Sequence, residues 1–300
     1  MNNLSAFDYL KNLYRTGGMT VRLIFVNTLF FIFINIFQVY ARLMGEESLF
    51  FNKLLVDLFA LKTDFFEFLY SPWGLLTNIF SHFSFWHFSF NMVFLYFSGK
   101  MFEQLFDQKR LLYTYLLGGI VGGVLEIIAH YIFPSLRENF PVVVGASGAI
   151  MAIFVALAFH RPNLEVRLFG VLPIKLIFLA VFFLLQDFLS LGTQDGTAHF
   201  AHLGGAFLGA LSIRNIYASK NIINIFQRYM DRFFFFFSNL FKSKPRFKSS
   251  NSRFKSDEEY NYESKQRQKE IDQILDKISK SGYDSLSKKE KDFLFKQSKK

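Results

Sequence analysis

Long apolar runs separated by short polar clusters set the organisation of this chain. A bilayer-spanning helix needs about 20 mostly apolar residues. Six stretches approach that length: 21–41, 75–97, 111–133, 145–160, 168–191 and 197–216. The first is broken only by Asn27, Thr28 and Asn35 between Leu23 and Phe37. The fourth is short, and is expected to start below the membrane surface beside a water-filled cavity. Between the first two stretches, Phe51, Leu54, Leu55, Leu58 and Phe59 recur at helical spacing, with Asn52, Lys53 and Asp57 opposite. That pattern predicts an amphipathic helix in the outer interface, with Tyr70 and Trp73 at headgroup level. A cleavable signal ending near Ala41 is the alternative for the first run, but the run is long and the 20 residues before it are polar.

Composition supports the same picture. Of 300 residues, 51% are hydrophobic and only 19% charged, below the roughly 25% of soluble domains. This argues against a disordered chain and a soluble enzyme. No cysteine is present, which excludes disulfides, thiolate catalysis and Cys-ligated metal. The net charge of +10 lies entirely in residues 214–300, which carry 21 Lys/Arg and 11 Asp/Glu; the preceding residues carry 13 of each. A uniformly basic nucleic-acid binder would not divide this way. Lys11, Arg15 and Arg22, then Lys100, Lys109 and Arg110, then Arg161 and Arg167, and finally the tail, fall on one side of a six-span arrangement. Arg42, Lys53, Lys62 and Arg137 are sparser on the other side. Both termini are therefore expected to be cytoplasmic.

Polar residues inside the spans are costly and point to function. His87 and Asn91 lie one helical turn apart; Glu126 and His130 form another such pair. Ser147 stands in Gly145-Ala146-Ser147-Gly148, and His199 and His202 open the sixth stretch. Singly, each has a plain structural reading: serine back-bonding to its own helix, histidine bridging helices, glycine allowing close packing. Together they say more. Gly148, Ala152 and Ala156 make one small-residue stripe, and Gly205 and Gly209 another. Two such stripes let backbones approach, and would bring the His202 imidazole beside the Ser147 hydroxyl. That is the arrangement of a base-activated serine nucleophile. Free backbone N–H groups at the start of the fourth stretch, with His87 and Asn91, could stabilise an oxyanion.

These residues resemble the rhomboid family of intramembrane serine proteases. The family's G-x-S-G is matched at Gly145 to Gly148, its A-H-x-x-G-x-x-x-G at Ala201, His202, Gly205 and Gly209, and its H-x-x-x-N at His87 and Asn91, with His82 upstream. Trp73 falls where many members carry tryptophan, although Gly74 replaces the arginine that often follows. The resemblance covers about 15–217. It implies an all-α, six-helix membrane bundle with a Ser–His dyad. Ser147 would be the nucleophile and His202 the general base. His87, Asn91 and the Ser147 backbone N–H would form the oxyanion hole. The substrates implied are transmembrane helices of other proteins, cut in a bacterial plasma membrane, without metal or cofactor. Glu103 corresponds to an acid that ties the second helix to a neighbour. Met151 stands where some members carry tyrosine one turn after the nucleophile, which predicts a softer histidine environment. His199 is a rival base outside the motif register. No carboxylate is clearly placed as a third catalytic member: Asp187 and Asp195 fall near the outer end of the fifth stretch and in the loop after it, Asp195 reads as a loop residue, and Glu126 with His130 as a buried pair joining helices.

Two other readings compete with the protease. A non-catalytic rhomboid-like protein that binds membrane clients would typically lack the serine or histidine. A metal or proton transporter could use His82, His87, Glu126 and His130, but no repeat of broken helices supports it. The organisation expected is a membrane domain over 1–217, a basic juxtamembrane segment and linker over 218–260, and a small helical hairpin over 261–300. Phe233 to Phe237 with basic flanks suit the inner interface. Ser-rich 248–259 reads as linker. Ile271, Leu275 and Ile278 predict a helix stopped by Gly282, and Ser287 with Glu290 a capping box on a second helix over 286–295. The hairpin also resembles C-terminal extensions of some bacterial rhomboids. Its interspersed acids favour lipid or protein contact over nucleic acid.

Overall fold

A computed structural model describes residues 5–43, 49–137, 142–168, 171–193, 195–241 and 257–297. The chain forms two compact units, Met1–Leu240 and Phe241–Lys300. The first is almost wholly helical. In chain order it holds α1 (Ala6–Thr16), α2 (Gly18–Leu43), α3 (Leu49–Phe59), β1 (Leu61–Lys62), α4 (Phe65–Tyr70), α5 (Gly74–Thr77), α6 (Phe85–Leu105), α7 (Gln108–Ile132), α8 (Pro134–Arg137), β2 (Val142–Val143), α9 (Ser147–His160), β3 (Glu165–Leu168), β4 (Leu172–Lys175), α10 (Leu176–Leu189), α11 (His199–Ser212) and α12 (Ile222–Phe241).

The centre is α9, buried without interruption from Gly148 to Ala158. A helix that is apolar all round belongs in a core. Here α7 and α11 enclose it closely, because small residues face small residues. A Cβ on Gly205 would collide with the Gly148 carbonyl, one on Gly209 with that of Ala152, and one on Gly118 with the Ala152 methyl. The small-residue stripes thus act through backbone contact. Leu95, Phe102, Leu111, Tyr115, Ile150, Ile153 and Leu157 fill the rest of this core.

The outside is also apolar. Leu29, Ile32, Phe33 and Ile36 on α2, Trp86, Phe90 and Phe97 on α6, and Phe182, Leu185 and Leu189 on α10 are all exposed. Among the described residues, two helices, α2 and α7, are long and apolar enough to cross a membrane; α9 and α10 are shorter apolar helices of 14 residues.

Two predicted stretches differ from the structure. Residues 75–97 are not one helix: α5 passes through a 3-10 turn (Asn78–Phe80) and an extended break before α6 begins at Phe85. Polar side chains here compete for the backbone. Asn78 Nδ2 donates to the Gly74 and Leu75 carbonyls, and Ser81 Oγ to that of Thr77. The Asn78 carbonyl accepts both from Ser81 N at 3.0 Å and from Gly145 N at 2.9 Å, the second bond anchoring the loop before α9. Residues 168–191 are likewise not all helix. β3 and β4 form an antiparallel hairpin, Glu165 opposite Lys175 and Leu168 opposite Leu172. Pro173 lacks an N–H and biases Leu172 towards extended backbone, so α10 starts only at Leu176.

Ends are tied down by charged groups. Glu103 Oε1 accepts from Met19 N (2.5 Å) and Thr20 N (3.0 Å), capping α2. This is the inter-helix tie expected of Glu103. The first unit also runs past the expected boundary at 217. Arg110 donates to the Ser212 carbonyl and to Asn221 and Asn224 side chains, and Tyr113 to Asp231, so α12 is held against α7.

In the second unit, α13 (Asp257–Ser281) ends at Gly282, whose φ of +78° suits only glycine comfortably. A 3-10 turn (Tyr283–Ser285) leads to α14 (Lys288–Gln297). The Ser287–Glu290 capping box is formed: Ser287 N donates to Glu290 Oε2 at 2.6 Å, and Glu290 N to Ser287 Oγ at 3.4 Å. Part of the expected linker, from Asp257, is therefore helix; 242–256 lie outside the described residues.

Candidate active site

The site assembles at the start of α9. Gly145 has φ +127°, a conformation L side chains rarely adopt, and a Cβ there would strike the His87 ring. This sharp entry aims Ser147 inward as the first residue of α9, where the leading backbone N–H groups have no helical acceptor. Ala146 N faces His82 Nε2 at 3.4 Å, which seats His82 beneath the loop rather than among reacting groups.

His202 stands in the first turn of α11. Its neighbour Ala201 is gripped from both sides. Ala201 N donates to Glu126 Oε2 at 2.9 Å, and the Ala201 carbonyl lies where a Cβ on Gly122 or Gly148 would be. His202 Nε2 is then 2.7 Å from Ser147 Oγ. This is the imidazole–hydroxyl contact that the two stripes predict. Glu126 and His130 form the buried structural pair expected of them, their side chains 3.4 Å apart.

His87 and Asn91 project from one face of α6. With Ser147 and His202 they line a cavity of about 1160 Å³, walled elsewhere by Phe90, Phe94 and Phe183. Asn91 Nδ2 donates to the His87 carbonyl at 3.0 Å, leaving its second amide hydrogen available. Met151, one turn after Ser147, packs with Val155 and Ala206 against Phe94 and Phe183.

Sequence reasoning noticed Asp187 but gave it no role. Its Oδ1 lies 2.8 Å from His202 Nδ1 and 2.8 Å from His199 Nδ1. His199 does not compete for Ser147; its Nε2 faces Asp195 Oδ2 at 3.1 Å. The signal not used was the pairing of this lone acid, in the otherwise apolar run of α10, with two histidines three residues apart. Outside the membrane-facing helices, Asp195 is held below the usual carboxylate range, chiefly by the Thr197 backbone N–H. Ligand atoms of Asp187, His199 and His202 lie within 4.8 Å of one another, close enough for metal ligation. Each of their ring nitrogens already faces a hydrogen-bond partner, so the cluster is satisfied without an ion.

Residues 70–219, half of the chain, match the Rhomboid domain family. The chain belongs to the rhomboid family. Rhomboid proteins are membrane-embedded, and among the relatives are RHOMBOID-like protein 12, mitochondrial, of Arabidopsis thaliana (31% identical, covering 46% of this chain and 44% of that protein). Rhomboid-like protease 3 of Toxoplasma gondii is 30% identical over 50% of this chain and 53% of its own. Presenilin-associated rhomboid-like protein, mitochondrial, of Mus musculus is 29% identical over 45% of this chain and 36% of its own. The rhomboid chain described here thus spans about half or less of the length of these relatives. Its residues 255–300 match a family of unknown function, DUF6576.

Proposed function

We propose that this rhomboid is an intramembrane serine endopeptidase that cleaves transmembrane helices of other membrane proteins. The observation that carries this reading is the 2.7 Å contact between Ser147 Oγ and His202 Nε2 inside a partly polar cavity. His202 takes the hydroxyl proton as Oγ attacks the scissile carbonyl. The Ser147 backbone N–H, the Asn91 amide and the His87 ring donate to the oxyanion. The imidazolium then protonates the leaving amine, and a water molecule entering the cavity hydrolyses the acyl-enzyme by the same route in reverse.

The membrane setting follows from the inverted surface. A soluble protein rarely exposes contiguous apolar area beyond a few hundred Å². The exposed Leu, Ile and Phe of α2, α6 and α10 suit lipid. In this reading α2, α6, α7, α9, α10 and α11 are the six spans, the basic connections and both termini face the cytoplasm, and α9 starts below the outer surface. A client-binding role without catalysis would leave the serine–histidine contact without purpose.

Ser147→Ala and His202→Ala, each inserted normally, should lose cleavage of a reporter membrane protein. A fluorophosphonate should label the wild type and not Ser147→Ala. Undiminished cleavage by Ser147→Ala would sink the protease reading.

A further inference from the structure

The polar wall of the cavity holds more acid and imidazole than a serine–histidine pair uses. Asp187 is buried, its side chain 5% exposed, and its Oδ1 meets Nδ1 of both His202 and His199. An ionised carboxylate only accepts hydrogen bonds, so both Nδ1 atoms carry hydrogen. For His202 this selects the tautomer whose Nε2 can accept the Ser147 proton. His199 faces carboxylate oxygens at both ring nitrogens, Asp187 at 2.8 Å and Asp195 at 3.1 Å. With both acids ionised, both nitrogens donate, and the charged ring then offsets the charge of Asp187, which burial would otherwise disfavour. Asp195, its side chain 45% exposed, closes this chain of contacts at the surface.

We propose that Asp187 is a positioning residue for His202, and that His199, braced by Asp195, holds Asp187 in place. The inference rests on the reading of Ser147 as nucleophile and His202 as base. The reacting pair is then oriented by a carboxylate on α10 that is itself held by a second imidazole on α11. When His202 takes the Ser147 proton from Oγ to Nε2, Asp187 stays ionised and stabilises the imidazolium; no proton passes to the carboxylate.

The test uses the full chain in detergent or liposomes with a reporter transmembrane substrate. The kcat and KM are measured at one fixed pH for wild type, Asp187→Asn, His199→Ala and His199→Asn, with Ser147→Ala as blank. Asp187→Asn should lower kcat by about 100-fold or more and leave KM unchanged. His199→Ala should lower kcat roughly tenfold, as expected for an indirect hydrogen-bond loss. His199→Asn, whose amide can still donate to Asp187, should recover most of that loss. If Ser147→Ala remains active, the protease reading fails with the proposal. If Ser147→Ala is dead but Asp187→Asn keeps kcat within about twofold, the positioning role is overturned and the protease reading stands. Should Asp187→Asn fail to fold, equal rates for wild type, His199→Ala and His199→Asn overturn the proposal. Stoichiometric zinc in the purified protein, or turnover changed by EDTA, would make the cluster a metal site and overturn it too.

Discussion

Gly205 of α11 rests directly on the backbone of Gly148 of α9, leaving no room for even a methyl group. The contact sits one residue after Ser147 and one turn after His202, so it sets the spacing of the reacting pair. Gly205→Ala should therefore force the helices apart. Overpacking of this kind costs about 1–3 kcal/mol, read as a lower melting temperature in detergent, and turnover should fall by more than stability explains. Phe207→Ala, at an exposed position on the same helix, should change both far less. A Gly205→Ala protein with wild-type melting and turnover would contradict the close approach.

Glu126 reaches from α7 to the Ala201 N–H of α11. Glu126→Ala leaves that buried donor unsatisfied, at a cost of about 1–3 kcal/mol. Glu126→Gln keeps an acceptor oxygen and should cost less. The ordering wild type, Gln, Ala in thermal stability is the check. A reversed ordering would mean that the buried charge is a burden rather than a brace.

Glu103 caps α2, a helix that supplies no side chain to the cavity lining. Glu103→Ala should cost about 1–2 kcal/mol of stability, with fluorophosphonate labelling of the surviving folded protein unchanged. Loss of labelling without loss of stability would assign Glu103 a role beyond capping.

The second unit offers a pH test outside the membrane. Lys277, followed by the Ser287 hydroxyl and N–H, pulls the Glu290 carboxyl from 4.5 down to about 2. A folded value below the unfolded one contributes stability above pH 4.5, and that contribution is lost as pH falls towards 2. Amide-exchange protection of 283–297 in the full chain, corrected for intrinsic rates, should fall across this window. In Glu290→Gln the fall should be shallower. Identical pH curves would show that the capping carboxylate does not report on this hairpin.

Much of this was legible from residue spacing. The serine–histidine pair could be read because glycine and alanine at four-residue intervals have one dominant use between buried helices, and Ser147 and His202 sit beside those intervals. The hairpin capping box was legible because Ser287 and Glu290 interact within one turn. Asp187 was not legible in the same way. Its partners lie 12 and 15 residues onward across a loop, and periodicity within one helix carries no information about which neighbour an acid will face. The break before α6 was hidden for a related reason. Asn78 and Ser81 look tolerable inside an apolar run until their side chains are seen taking over the carbonyls that a continuing helix would need.

The grip on Ala201 has a consequence for where inactivating changes should appear. Its peptide is pinned by Glu126 and crowded by Gly122 and Gly148, so the residue that follows has a fixed pivot and only side-chain rotation left. A random substitution survey should accordingly find dead variants along one edge of α7, a helix that contributes no reacting group. Their defect would be misaim: proteins that fold, insert and still engage client segments, yet fire rarely.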